Sequence, residues 1–392
     1  MIKREAASVL LDLAGQFKAV ALIGPRQSGK TTLVRNLFPE KPYVNLENID
    51  TRRFAIEDPR GFLEQYAHGA VLDEAQNVPD LFSYLQEILD NSTTPGLFII
   101  TGSNNFLLQE SISQSLAGRI AYLKLLPFAF SELVDRGTEN VNELLFKGFY
   151  PPLYNQPLDI GQWYRNYIQT YIERDVRQLK SINNLFAFEK FIKLCAGRTG
   201  QLLNMSNLAL ETGVDNKTIS SWIGILESSF IIYRLQPHHK NYNKRVVKMP
   251  KLYFYDTGLA CALLDIQSPQ QLSIHPYRGA LFENFVITEM IKNRFNKALP
   301  ANVFFWRDNT GHEIDVLIDK FPHLFPIEIK SGKTITSDYF KGLNFWKKLT
   351  GKSKGAIVYT GNMLQKRSSG VTVYPWNKME DLYQLLSKTP DK

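Results

Sequence analysis

Cysteine is almost missing from this 392-residue chain, with only Cys195 and Cys261 present. Two cysteines without metal-ligand spacing exclude both a disulfide framework and a zinc site, and they suit a reducing compartment. Histidine is equally sparse: the six are scattered, and His238-His239 and His312 lack the second cluster that a metal centre needs. Long apolar runs are absent as well. No segment approaches the ~20 apolar residues that span a bilayer, and the opening MIKREAASVLLDL mixes charge into its apolar positions, against a secretory signal. Neither a G-x-S-x-G elbow nor a Cys/His pair is available for acyl transfer. Internal repeats and low-complexity linkers are lacking too. These absences leave a cytoplasmic chain with no membrane partner as the expectation.

What is present is a globular composition, 44% hydrophobic and 21% charged, in a length that calls for two or three domains. The net charge of +8 is uneven. Residues 1–137 carry 13 Lys+Arg against 16 Asp+Glu, and the remainder carries 33 against 22. That asymmetry fits a C-terminal part that meets a polyanion such as DNA, and equally fits a solvated basic surface.

The apolar runs AVALIG (19–24), PYVNL (42–46), AVLDE (70–74) and LFIITG (97–102) alternate with helical patterns, which predicts a parallel sheet flanked by helices. GPRQSGKT (24–31) fits G-x-x-x-x-G-K-[ST] between a strand and a helix. Gly24 and Gly29 would let the binding stretch Gly24, Pro25, Arg26, Gln27, Ser28 and Gly29 wrap closely around phosphate oxygens, amides at the helix N-terminus would point at the anion, and Lys30 would reach the β- and γ-phosphates of ATP. Thr31 would ligate Mg2+, and Thr32 completes the binding stretch. Asp73 and Glu74 end the third run, where open α/β sheets bind ligands: Asp73 suits the Mg2+ shell and Glu74 the general base for water. Alone, such a pair is also compatible with a solvated turn. Ser103 and Asn104 sit at the tip of the next strand, placed to sense the γ-phosphate. Arg119, in SLAGRI, reads as an arginine finger, as a nucleotide sensor, or as a surface arginine.

Beyond residue 137 the pattern changes. YRNYIQTYIERDVRQL (164–179) has apolar residues at helical spacing, with its Tyr residues read as core. In 204–235 a short helix, Gly213, the capping pair Asp215-Asn216 and a second helix have helix-turn-helix spacing. Asn216, Lys217, Thr218, Ser220 and Ser221 would open a recognition helix, and Lys240, Lys244, Arg245 and Lys248 would contact phosphates from a wing-like loop. The same module serves protein docking, and the basic loop can also face solvent.

EIDVLIDKFPHLFPIEIKSG (313–332) reads as two strands around a turn. With Lys320–His323 as a four-residue loop, Asp319 faces Leu324 and Asp315 falls opposite Glu328, so Asp315, Glu328 and Lys330 converge on one face. Asp315, Glu328 and the Ile329 carbonyl would make a second divalent metal site, with Lys330 acting on water and Glu283 adding a carboxylate. A plain hairpin ion pair remains the alternative.

In GPRQSGKTTL, LDEAQ, TGS and LAGR the first third resembles the AAA-type ATPases, specifically a bacterial and archaeal group with a C-terminal region called a domain of unknown function. YIERDVRQL, YFYDTGLA and RGALFENFV resemble that region. The resemblance implies an α/β fold: a P-loop parallel sheet flanked by helices, a helical and winged-helix region, and a C-terminal restriction-endonuclease-like domain. The expected divisions are 1–137, 138–195 (helical lid or linker), 196–266 and 267–392. Glu283, Asp315, Glu328 and Lys330 follow the order of the PD-(D/E)XK nucleases. The implied function is ATP hydrolysis controlling a DNA-binding region with metal-dependent nuclease chemistry; the alternative is a nucleotide-controlled switch or scaffold whose nuclease-like domain only binds. A small-molecule kinase would leave the C-terminal hairpin unexplained. A homo-oligomer follows only if Arg119 acts between subunits.

Overall fold

The computed structural model describes residues 2–103, 116–136, 140–171, 184–239, 246–320 and 323–387. Helix α1 (Ala6–Gln16) leads into β1 (Ala19–Ile23), and α2 (Lys30–Leu37) follows the glycine-rich turn. Next come β2 (Tyr43–Asn45), α3 (Ile49–Glu57), α4 (Pro59–Glu64), β3 (Ala70–Asp73), α5 (Leu81–Asn91), β4 (Phe98–Gly102) and β5 (Ile120–Lys124). These strands form one parallel sheet in the order β2-β3-β4-β1-β5. Strands β1, β3 and β4 are buried along their whole length, so they appear in the sequence as continuous apolar runs. The order doubles back at β1, which has β4 on one side and β5 on the other, and the crevice at that reversal receives the N-terminus of α2.

The middle of the chain holds α6 (Val141–Lys147), α7 (Pro152–Asn155), α8 (Ile160–Tyr171), α9 (Leu185–Ala196), α10 (Met205–Thr212) and α11 (Asn216–Ser228). A two-stranded antiparallel sheet follows, β6 (Ile232–Leu235) with β7 (Lys251–Phe254), then α12 (Thr257–Leu263) and α13 (Pro269–Ile274). The expected turn is present. Gly213 ends α10 in the left-handed region, and the Asp215 carboxylate accepts from the Thr218 amide at 2.8 Å to open α11. Tyr164, Tyr167 and Tyr171 are buried, as their spacing predicts; the rest of that run, from Ile172, lies outside the described residues.

The C-terminal part comprises α14 (Arg278–Phe295), β8 (Val303–Arg307), β9 (Glu313–Lys320), β10 (His323–Lys330), α15 (Lys341–Thr350), β11 (Gly355–Tyr359), β12 (Gln365–Lys366), β13 (Val371–Pro375) and α16 (Met379–Ser387). Its mixed sheet has the order β12-β13-β11-β10-β9-β8. The register of β9 and β10 is the expected one, with Leu324 opposite Asp319. The loop is shorter than expected, because pairing continues to His323 and Lys320 and only two residues connect the strands.

Two features tie the parts together. The outer edge of β8 is covered by the chain between β6 and β7: the His238 amide donates to the Phe305 carbonyl at 2.7 Å, and the Val247 amide to Arg307 at 2.9 Å. Meanwhile α14 grips the segment that leaves β5. Lys292 Nζ donates to the Phe128 carbonyl at 2.8 Å, and Glu289 accepts from the Phe130 amide at 2.6 Å. Around that grip, Phe285 stacks on Phe149 at 5.7 Å and meets Phe130 and Trp376 edge-on at 6.3 and 6.1 Å.

Candidate functional site

The glycine-rich turn is built for an anion. Gly29 starts α2 at φ 91°, a conformation that side chains with a Cβ resist, and it aims the first amides of the helix into the crevice. Gly24 has a different reason from the one expected: a Cβ there would lie 2.1 Å from the Leu125 carbonyl oxygen, so β5 could not lie alongside. Lys30 is buried, and its ammonium donates to the carbonyls of Gly24 and Pro25 at 2.9 and 2.8 Å. Phosphate oxygens could replace those carbonyls as acceptors of the ammonium. Ser28 Oγ is buried without a partner among the described residues. Behind the loop stands Arg4, which the sequence did not single out. Its guanidinium donates to the Ser28 carbonyl at 2.7 Å, the Leu126 carbonyl at 2.7 Å and Glu132 at 3.0 Å.

Because β4 lies between β1 and β3, Asp73 faces the loop across Thr101. Asp73 accepts from Thr31 Oγ1 at 2.9 Å, from the Tyr43 hydroxyl and from Thr101. The Thr31–Asp73 pair is therefore assembled where a hard cation beside phosphate would need oxygen ligands. Tyr43 and Thr101 were not foreseen as partners. Glu74 adopts φ 55°, unusual for a residue with a Cβ, which turns its carboxylate toward the crevice. It accepts from Gln76 at 2.5 Å and from Ser103 Oγ at 2.8 Å. Burial pushes the Glu74 carboxyl up, but the Lys30 ammonium and the hydrogen bonds from Gln76 and Ser103 outweigh it and hold it below its ordinary value. Ser103 thus sits beside Glu74.

A cavity of about 960 Å³ opens over this cluster. One wall is Arg26, Gln27, Gly29, Lys30, Thr31, Thr32, Glu47 and Glu74; the other comes from the middle of the chain, including Pro151, Asn155, Gln156, Tyr167 and Tyr171. Two further expected residues remain. Asn104 lies outside the described residues. Arg119 precedes β5, at the edge of the sheet opposite the loop: Ile120 pairs with Ala19, the first residue of β1. That is roughly 16 Å of strand from the loop at about 3.3 Å per residue. There Arg119 makes a two-point contact with Asp90 at 2.5 and 3.0 Å.

The C-terminal residues do converge, but as ion pairs. Lys330 Nζ lies 2.5 Å from Glu328 and 3.4 Å from Asp315, and the Ile329 amide donates to Asp315 at 2.8 Å. The other oxygen of Glu328 is buried against Gly342 of α15, where a Cβ would come within 2.2 Å of it. Glu283 is turned to a partner that was not expected: Lys251, from β7, lies 3.1 Å from Glu283 and also pairs with Glu313. The Tyr253 hydroxyl donates to the same Glu283 oxygen at 2.5 Å. Burial pushes the Glu283 and Glu328 carboxyls up. It would lower Lys251 and Lys330, but the carboxylates around them hold both above the ordinary lysine value. Among the described residues no group of three or more His, Cys, Asp or Glu is placed to hold a metal ion. Asp315 and Glu328, expected to share a metal, share Lys330 here.

A parallel sheet reversing at a P-loop strand, with the Thr31–Asp73 pair and Glu74 at its rim, defines an AAA-type P-loop ATPase domain. Residues 16–134 match the AAA domain family, and residues 138–270 and 278–379 match two families each described as a domain of unknown function. The chain is 31% identical over 337 residues to uncharacterized protein Rv2008c of Mycobacterium tuberculosis and to Mb2031c of Mycobacterium bovis, covering 85% of this chain and 74% of each relative. It belongs to the family of these proteins. An uncharacterized protein of Haemophilus influenzae is 23% identical over 283 residues, covering 62% of this chain and 70% of that one. Among solved structures, the Walker-type ATPase of Pyrococcus abyssi is similar at 15% identity and TM-score 0.48, covering 67% of this chain and 96% of that one. A signal transduction ATPase with a tetratricopeptide repeat sensor from Pyrococcus horikoshii is similar at 11% identity and TM-score 0.28, covering 75% and 47%. No helix among the described residues is long and apolar enough to cross a membrane.

Proposed function

We propose that the protein binds and hydrolyses ATP and that its nucleotide state controls a DNA-binding C-terminal region. The observation that carries the reading is Glu74, kept ionised by Ser103 and Gln76 beside Lys30. Lys30 would exchange its carbonyl partners for phosphate oxygens, Glu74 would take the proton of the attacking water, and Thr31 and Asp73 would hold Mg2+. Magnesium, when bound, neutralises phosphate charge. Control is supported by the cavity itself, whose second wall belongs to residues 151–171, in the stretch proposed as a lid at 138–195.

For DNA, the exposed start of α11 offers Asn216, Lys217, Ser220 and Ser221, in a helix-turn-helix followed by the β6–β7 hairpin. Lys248, in the chain before β7, is exposed, while Lys240, Lys244 and Arg245 lie outside the described residues. The order α14, three antiparallel strands, α15 and a parallel strand supports the nuclease-like reading of 267–392. The convergence of Asp315, Glu328 and Lys330 favours nuclease chemistry as a second reading, conditional on a metal gaining access.

The test is phosphate release from ATP together with anisotropy of labelled duplex DNA in ATP, ADP and no nucleotide. Hydrolysis lost in Glu74→Gln with ATP binding kept, and DNA affinity that differs between ATP and ADP, are expected. Equal DNA affinity in all three states removes the control.

A further inference from the structure

The carboxylates of the C-terminal sheet already hold a cation, and it comes from another part of the chain. We propose that Lys251 of β7 is a built-in cation that closes this site to divalent metal. The proposal rests on the nuclease-like reading of the sheet and concerns how that site is regulated.

Three observations carry it. Lys251 Nζ bridges Glu283 on α14 and Glu313 on β9, with its side chain 5% exposed. Other cations and donors crowd the same carboxylates. Glu313 is engaged at both oxygens, the second accepting from Arg307 at 3.1 Å; the Tyr253 hydroxyl shares the Glu283 oxygen that meets Lys251; and one Asp315 oxygen takes both Lys330 and the Ile329 amide. A hard divalent ion needs six or more oxygens around it, and one entering here would displace an ammonium from two carboxylates at once. Finally, Lys251 is held in register. Gln236, His238 and Val247, in the chain just before it, are tied by backbone hydrogen bonds to β8, and Lys251 itself pairs with Leu235 and Leu202. The strand that carries the ammonium is thus tied on two sides, which keeps it beside the two carboxylates.

The test is Mn2+ uptake by the full chain without nucleotide, followed by the loss of the free-ion paramagnetic resonance signal. Wild type is expected to take up no stoichiometric Mn2+ at this site. Lys251→Met, which keeps the length and removes the charge, is expected to bind one Mn2+ per chain with affinity at least roughly tenfold tighter. Its thermal midpoint should rise with Mn2+, and Asp315→Asn added to it should abolish both effects. Wild-type uptake that Asp315→Asn removes overturns the proposal, as does a folded Lys251→Met that takes up none. If Lys251→Met does not fold, the wild-type measurement decides alone: no uptake supports closure, and Asp315-dependent uptake overturns it. Plasmid cutting is scored separately. Lys251→Met that binds Mn2+ and leaves plasmid intact keeps the closure and removes the nuclease reading.

Discussion

The chain carries two clusters in which lysines meet acidic groups, and the lysines are treated in opposite ways. In the P-loop cluster the contacts of Lys30 include two backbone carbonyls, with the Glu74 carboxylate near enough to feel its charge, beneath a cavity of about 960 Å³. In the C-terminal cluster Lys251 and Lys330 rest on ionisable carboxyls. Exchanging a neutral carbonyl for a phosphate oxygen is favourable, whereas removing an ammonium from a buried carboxylate leaves an uncompensated charge. A lysine waiting for a ligand and a lysine standing in for one can be told apart by what holds them.

That contrast can be broken by experiment. Lys30→Ala should lower ATP turnover by about 10³-fold, the scale of losing one charged transition-state contact, while the denaturation midpoint barely moves. A phosphate-release assay beside a urea titration reads both, and retained turnover would erase the distinction. Glu74→Gln should cost roughly 10²- to 10³-fold in turnover, as for loss of a general base, with ATP affinity intact by calorimetry. Lys251→Ala should do the reverse, leaving turnover unchanged and removing about 3 kcal/mol of stability, because it strands two buried carboxylates. Since the native fold raises the Lys251 value, its contribution is complete below the ordinary lysine value and fades as pH rises through the raised one. The stability gap between wild type and variant should therefore be constant near neutrality and close only in alkali.

Ser103→Ala should have a subtler effect. It removes a hydrogen bond that keeps the Glu74 value low, so the acid limb of kcat/KM should move to higher pH while the plateau stays. An unmoved limb would mean that Glu74 is not the titrating base. The smallest effect is expected for Arg119→Ala, less than about twofold on turnover in dilute protein, as for a surface substitution. A large loss that appears only as protein concentration rises would show that Arg119 serves a neighbouring subunit.

The sequence made the phosphate loop legible because its chemistry is contiguous: one strand, one turn and one helix suffice. Asp73 and Glu74 were legible because parallel strands end together. The β9–β10 register followed from pairing arithmetic, which a shorter loop left unchanged. The missed residues act at a distance. Arg4 reaches Leu126, and Lys251 reaches Glu283 and Glu313 across separate sheets, so no local spacing announces them. The only hint of Lys251 was a lysine opening an otherwise apolar strand. The placement of Arg119 was hidden for a related reason: SLAGRI names its neighbours but not the end of the sheet at which β5 begins.

The grip of α14 on the segment leaving β5 has a practical corollary for anyone dissecting the molecule. Cut away after residue 134, the catalytic third would leave Phe128, Phe130 and a backbone amide facing water where Phe285, Lys292 and Glu289 had covered them. Such a fragment should be sticky and short-lived. The parallel sheet and the C-terminal sheet share one keystone, so a displacement of either has little slack to absorb it.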